Sequence, residues 1–207
     1  MTAEREVLAR ARDVFLSDRR VDMQSLARDL GIGRATLYRL VGSREELLDR
    51  LLGELAGEFF EASRRQVGDG SDRPIAEMVE VIAATTTGLQ PLRGFVGREP
   101  TLALRLLLGE GGSVRRRLLA DVHSLVAELY PEEAEQLRGY SAALVQVGLA
   151  LVWPTLAVGD EPSPTQVAAI AEALLVGARA GLLPPGPEHD HLGRPRQPPL
   201  SARPSPA

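Results

Sequence analysis

Arg34, Ala35, Thr36, Tyr38 and Arg39 fall within six consecutive positions, and Arg44 follows five residues later. Arginine can fork onto guanine or a phosphate, and the hydroxyls of threonine and tyrosine suit phosphate oxygens. Small apolar groups can meet the thymine methyl. From Arg34 to Arg44 there are three basic residues and no acidic one, although the chain as a whole carries a net charge of −4. The chemistry these side chains fit is a duplex DNA surface. The overall acidity excludes a generally basic coat but not a local basic patch.

Such side chains reach a groove only if a small rigid element presents them. The run LARDLGIGRATLYRLVGSREELL, Leu26 to Leu48, has the required parts. Asp22 caps a helix from Met23 to Leu30, and Gly31 ends it. A third short helix spans about Arg34 to Leu40. Ala27 is the small residue where two helices cross, and Gly31, four residues on, makes the sharp turn. Leu26, Leu30, Ile32, Leu37 and Leu40 lock the pair. An amphipathic first helix, Glu4 to Ser17, brings Val14 and Phe15 beneath. The exposed side of the third helix then carries Arg34, Ala35, Tyr38 and Arg39, with Thr36 near its start. Ser43 and Glu46 form a capping box that starts a long fourth helix, placing Arg44 at a helix N-terminus already suited to an anion.

The run TLYRLVGSREELL resembles the TetR family of bacterial repressors, whose typical run reads T-L-Y-x-x-F-x-S-K-E-E-L. Thr36, Leu37, Tyr38, Ser43, Glu45, Glu46 and Leu47 match; Val41 stands for the aromatic and Arg44 for the lysine. The resemblance implies an all-α chain with an N-terminal three-helix helix-turn-helix domain (1–45) and a helical ligand-binding and dimerisation domain (46–183); composition marks off a Pro-rich tail (184–207). It implies that Arg34, Ala35, Thr36, Tyr38, Arg39 and Arg44 contact DNA. Two departures stand out: Gly33 replaces the usual capping serine of the recognition helix, and Arg39-Leu40 replaces a frequent aromatic-histidine pair.

Beyond residue 66 the residues must speak for themselves. VGDGSDRP, Val67 to Pro74, reads as a loop. Helical patterns follow at about Pro74–Thr87, Pro100–Leu108, Ser113–Leu129, Glu132–Val158 and Ser163–Leu183. Gly88, Pro91, Gly94 and Gly97 mark a break between the first two, and Pro154 should kink or shorten the fourth. Ala169, Ala173, Gly177 and Gly181 make a stripe of small residues, and Tyr140, Leu144, Gly148 and Leu151 make a second. Both could serve a dimer interface or pack within one chain; a homodimer is the reading the resemblance favours. Candidate walls of an effector cavity are Phe59, Phe60, Met78, Ile82, Phe95, Leu104, Leu108, Val122, Tyr140 and Trp153. Arg98, Arg105, His123 and Gln146 are candidate polar orienters. GREPTLALRLLL (Gly97 to Leu108) resembles regulators of quorum-signal degradation within the family, which would imply a lactone or acyl-chain effector.

Composition removes other classes. All 24 basic residues are arginine and there is no cysteine, so lysine Schiff bases, P-loop lysines, thiolate metal sites and cysteine nucleophiles are excluded. No nucleophile–base pairing or phosphate-cradling glycine loop is recognisable, so neither enzymatic activity nor a cofactor is expected; GEGGS (Gly109 to Ser113) follows a helix rather than a strand. The alternative functions are an activator or a protein-controlled regulator of the same fold and, further off, an enzyme. Gly139 to Gly159 carries no charge and is long enough to cross a bilayer, but its polar residues and Pro154 read as a buried helix. The N-terminus has no apolar signal segment, so a cytoplasmic location is expected. From Pro184 the tail holds 8 of 15 prolines; its composition cannot offset chain entropy, so disorder is expected. EHDH within it is a weak metal motif, better read as solvated.

Overall fold

The helical periodicities resolve into ten helices and no strand among the residues described by the computed structural model: 3–68, 70–86, 88–158 and 163–183. They are α1 (Ala3–Leu16), α2 (Met23–Asp29), α3 (Arg34–Val41), α4 (Arg44–Val67), α5 (Pro74–Thr86), α6 (Gln90–Arg98), α7 (Pro100–Leu108), α8 (Ser113–Leu129), α9 (Arg138–Val158) and α10 (Pro164–Arg179). The proline-rich segment 184–207, with its EHDH motif, lies outside the described residues.

Local chemistry explains the first turn between helices. The Asp22 carboxylate accepts the Ser25 backbone N–H at 2.8 Å. At the other end of α2, Gly31 adopts φ +65°, where a side chain would be strained. Its N–H donates to the Arg28 carbonyl at 3.2 Å and that of Ile32 to the Ala27 carbonyl at 3.0 Å, closing a Schellman motif. Leu26, Ala27, Leu37 and Val41 are buried against Val7, Ala11, Val14 and Phe15 of α1. The capping box of α4 is complete: the Glu46 N–H donates to Ser43 Oγ at 3.2 Å, and the Ser43 N–H to Glu46 Oε2 at 2.6 Å.

Three boundaries differ from expectation. Residues 90–98, expected as a broken connector, form α6 despite two glycines. Its support is tertiary: Phe95 and Val96 are buried, and the Phe95 ring meets Phe15 edge-on at 5.8 Å. A Cβ at Gly94 would lie 2.0 Å from Asp18 Oδ1, so any larger residue there would displace the Asp18 carboxylate. Residues 131–137 are turns, so α9 begins at Arg138 rather than Glu132, and it runs on through Pro154 to Val158. Gly181, at φ +72°, ends α10 at Arg179.

α9 packs against α6, α7, α8 and α10, with a smaller contact to α5. Among the described residues no helix is long and apolar enough to cross a membrane. The core has two parts. One runs from α1–α4 into α6, α7 and α8; the other joins α4, α5, α8, α9 and α10.

Candidate nucleic-acid interface and effector cavity

Burying Leu37 and Val41 turns the opposite side of α3 outward. Arg34, Ala35 and Arg39 are exposed, Tyr38 retains 44% of its surface, and Thr36 is half-buried. Arg10, Arg12, Arg50, Arg64 and Arg98 all face carboxylates of Asp29, Glu58, Glu4, Glu128 and Asp18. Arg34 and Arg39 have no ion pair among the described residues. Arg5, Arg19, Arg28 and Arg65 also lack an ion pair among the described residues, but Arg34 and Arg39 are the two that stand on the exposed side of α3.

Arg44 is placed differently. Its Nη1 and Nη2 donate to the two carboxylate oxygens of Glu99 at 2.8 and 2.6 Å, and its Nε donates to the Val21 carbonyl at 2.5 Å. The side chains of the pair are only 21% and 17% exposed. Arg44 stands at the first position of α4, as expected, but its guanidinium is turned away from solvent onto the α6–α7 junction. Its hydrogen bonds hold the Glu99 carboxyl below the usual glutamate range. Nothing in the sequence pattern singled out Glu99, because its partner is 55 residues away.

A cavity of about 380 Å³ lies between α1 and the later helices. Phe15 and Leu16 come from α1, Leu55, Ala56, Phe59 and Phe60 from α4, and Leu89, Pro91 and Leu92 from the start of α6 and the residue before it. Leu108, Leu118, Leu149 and Trp153 close it from α7, α8 and α9. Of all its lining side chains only Glu58 and Trp153 carry polar atoms. Glu58 is held by both terminal nitrogens of Arg12, whose hydrogen bonds keep its carboxyl below the usual range, so its charge is neutralised. A second cavity of about 120 Å³ between α5, α8, α9 and α10 shares Phe60, Ile82, Leu118 and Leu149 with the first.

α3 thus turns basic side chains outward, and the apolar cavity is walled by α1, α4, α6, α7, α8 and α9. Residues 69–176, more than half of the 207-residue chain, match the family model described as tetracyclin repressor-like, C-terminal domain. The chain belongs to the TetR family. It is a transcription regulator with a DNA-binding helix-turn-helix. It is similar in structure to the R. erythropolis transcriptional repressor QsdR from the TetR family, at 22% identity over 91% of this chain and 97% of that one, with a TM-score of 0.74. It is also similar to the TetR family repressor AlkX from Dietzia sp. strain DQ12-45-1b, implicated in biodegradation of n-alkanes, at 22% identity over 86% and 95%, with a TM-score of 0.62. At that identity the likeness shows the shared fold. No curated protein sequence matches the chain.

Within this TetR-family fold the expected pocket residues separate. Phe59, Phe60, Ile82, Leu108 and Trp153 line the larger cavity, while Met78 and Val122 line the smaller one. Seven others line neither. Phe95 is core against Phe15, Leu104 is 44% exposed, and Tyr140 is fully buried with its hydroxyl donating to the Ala171 carbonyl at 3.4 Å. Arg98 pairs with Asp18, Arg105 with Glu45, and Gln146 accepts from Arg115 at the surface; His123 is half-buried on α8. Periodicity shows which side chains point inward, not whether they meet a neighbour or a void. Leu16, Leu55, Leu89, Leu92 and Leu149 were missed for the same reason.

The two small-residue stripes also separate. On α10, Ala169 and Ala173 are exposed, Gly177 has open space around it, and Ile170 and Val176 are exposed apolar side chains of the same outer side. Gly181 is no part of that stripe; it is the turn after the helix. On α9, Tyr140 and Leu144 are buried, and Leu144, Gly148 and Leu151 line the smaller cavity opposite Val167 and Ala171 of α10. That stripe packs within the chain. The outward side of α9 is instead marked by the exposed Gln146 and Ala150, with Ala143 half-buried beside them.

Proposed function

We propose that this TetR-family regulator is a homodimeric, cytoplasmic repressor of a palindromic operator, released by an uncharged, largely hydrocarbon effector. Arg34 and Arg39 read or grip the duplex with Ala35, Thr36 and Tyr38. The observation that carries the effector class is the cavity: about 380 Å³, walled by aliphatic and aromatic side chains, with its one charge already neutralised. A site of that size holds a small molecule, and its lining favours an acyl or alkyl chain. A lactone head group would find one side-chain donor in the wall, the indole N–H of Trp153.

The effector side also has a mechanical route to the DNA side. The start of α6 lines the cavity, while Phe95, Arg98 and Glu99 at its end contact Phe15, Asp18 and Arg44 of the DNA-reading helices. A ligand that fits one position of α6 better than another shifts the population by that difference in affinity. The exposed uncharged side of α10, with the outward side of α9, supplies the dimer surface. Two recognition helices about 34 Å apart then read a palindrome.

Trp153 is the sole tryptophan and stands in the cavity wall. Its fluorescence should respond to N-acyl homoserine lactones or fatty-acid methyl esters, and the same compounds should release the protein from DNA. If neither class perturbs Trp153 or DNA binding at any chain length, the effector reading is wrong. Ala173→Arg should yield a folded monomer by sedimentation; an unchanged dimer would place the interface elsewhere. Transcripts next to the operator should rise when the protein is deleted, whereas a fall would make it an activator.

A further inference from the structure

We propose that Glu99 lowers operator affinity by occupying Arg44, so that a carboxylate of the regulatory region stands where a DNA phosphate would. The proposal rests on the reading that α3 and the N-terminus of α4 face the duplex. A guanidinium grips a carboxylate and a phosphate through the same two-pronged donor geometry, so one arginine cannot serve both at once. Here both prongs of Arg44 are on Glu99, and its Nε is on the Val21 carbonyl. The exposed Arg20 also approaches Glu99, at 3.4 Å, so this carboxylate offsets two cations beside the recognition helix. The pair is more than three-quarters covered on both sides, so salt screens it less than a surface pair.

The contrast with Arg34 and Arg39 sharpens the point. Those two are unpaired and ready for DNA, whereas Arg44 must be surrendered by Glu99 before it can neutralise a phosphate. Glu99 is also the residue where α6 ends and α7 is capped, and α6 begins at the wall of the apolar cavity. The grip on Arg44 is therefore built on the helix that the effector touches, which makes basal affinity and effector response adjustable through one side chain.

The test uses the full-length protein and a duplex that it selects from a random-sequence pool. Glu99→Gln keeps the shape and removes the charge; Glu99→Ala removes the contact. Both should bind roughly tenfold tighter at 0.1 M salt, and the salt dependence should steepen by about 0.9 per released arginine. The gain should vanish in an Arg44→Ala background. A gain that persists there would show simple charge repulsion by Glu99 and overturn the proposal. So would an unchanged salt slope, or weaker binding by folded Glu99→Gln, which would make the pair only a structural tie. Arg34→Ala separates the two readings. If it leaves binding intact, the assignment of α3 fails; if it abolishes binding while Glu99→Gln changes nothing, only the role of Glu99 fails.

Discussion

The DNA-reading helices and the regulatory helices solve opposite packing problems with similar side chains. In α1–α3 the inward positions Val7, Ala11, Leu26, Ala27 and Leu37 are 0–3% exposed and pack in one continuous core. In the regulatory part, Leu55, Leu89, Leu92, Leu118 and Leu149 are only half-buried and line empty volume. The small unit must hold a few side chains rigidly toward a groove. The larger one must leave room for something that is not protein. Close packing is costly to disturb, so the same substitution should behave differently on the two sides.

The largest expected effect is at the crossing of α2 and α3. Leu37 is fully buried, so Leu37→Ala should cost about 2–5 kcal/mol and melt the unit, abolishing DNA binding. Leu55→Ala merely enlarges an existing hollow, so it should lose less, and DNA binding should survive. Equal losses in calorimetric stability would show that the cavity is collapsed in solution.

Enlarging a small residue reverses the test. Ala27 is 3% exposed at the helix crossing, and Ala27→Leu should cost about 1–3 kcal/mol by overpacking. Ala56 lines the cavity, so Ala56→Leu should leave the melting temperature unchanged or raised while blunting release by acyl compounds. A destabilised Ala56→Leu would mean that no room exists there.

These contrasts also mark how far the sequence could be read. Asp22, Gly31, Ser43 and Glu46 act on neighbours within a few positions, and each was assigned to the cap or turn it makes. α6 was unreadable because its glycines and proline argue against a helix, and its support comes from Phe15 and Asp18 more than 70 residues away. Arg44 shows the same limit at the candidate site. Its helix-start position follows from the capping box, but its partner Glu99 comes from a distant junction. On α9, periodicity could not separate Tyr140 and Leu144, which pack within the chain, from the exposed Ala150, because two neighbouring sides of a helix can both be apolar.

Acid should act on both halves, through different contacts. Glu46 is held below the ordinary glutamate value of 4.5 by hydrogen bonds from Ser43, and Glu99 by those from Arg44. A carboxyl with a lowered folded pKa stabilises above its unfolded value, and that contribution fades as pH falls through the folded one. Stability should therefore decline below about pH 4.5, and Glu99→Gln should flatten part of that decline. Identical acid profiles for the two proteins would show that the Arg44–Glu99 pair contributes nothing to folding.

The smallest change probes the one weak joint in the well-packed half. Gly33 is the N-cap of α3 and offers no side-chain hydrogen bond to the recognition helix. Its backbone, at φ −68° and ψ 146°, is one that serine adopts freely. A Cβ there would meet nothing nearer than Thr36 Oγ1, at 3.9 Å. Gly33→Ser should therefore cap an N–H of the first turn and gain a few tenths of a kcal/mol, roughly the measured difference between glycine and serine at this position. The gain should appear as slower hydrogen exchange at Thr36 and Leu37, with the regulatory helices unchanged. If the weak cap exists so that α3 can settle against DNA, the same variant should also dissociate more slowly from its duplex. Faster dissociation with a firmer helix would mean instead that the backbone at Gly33 itself approaches a phosphate, where an added side chain stands in the way.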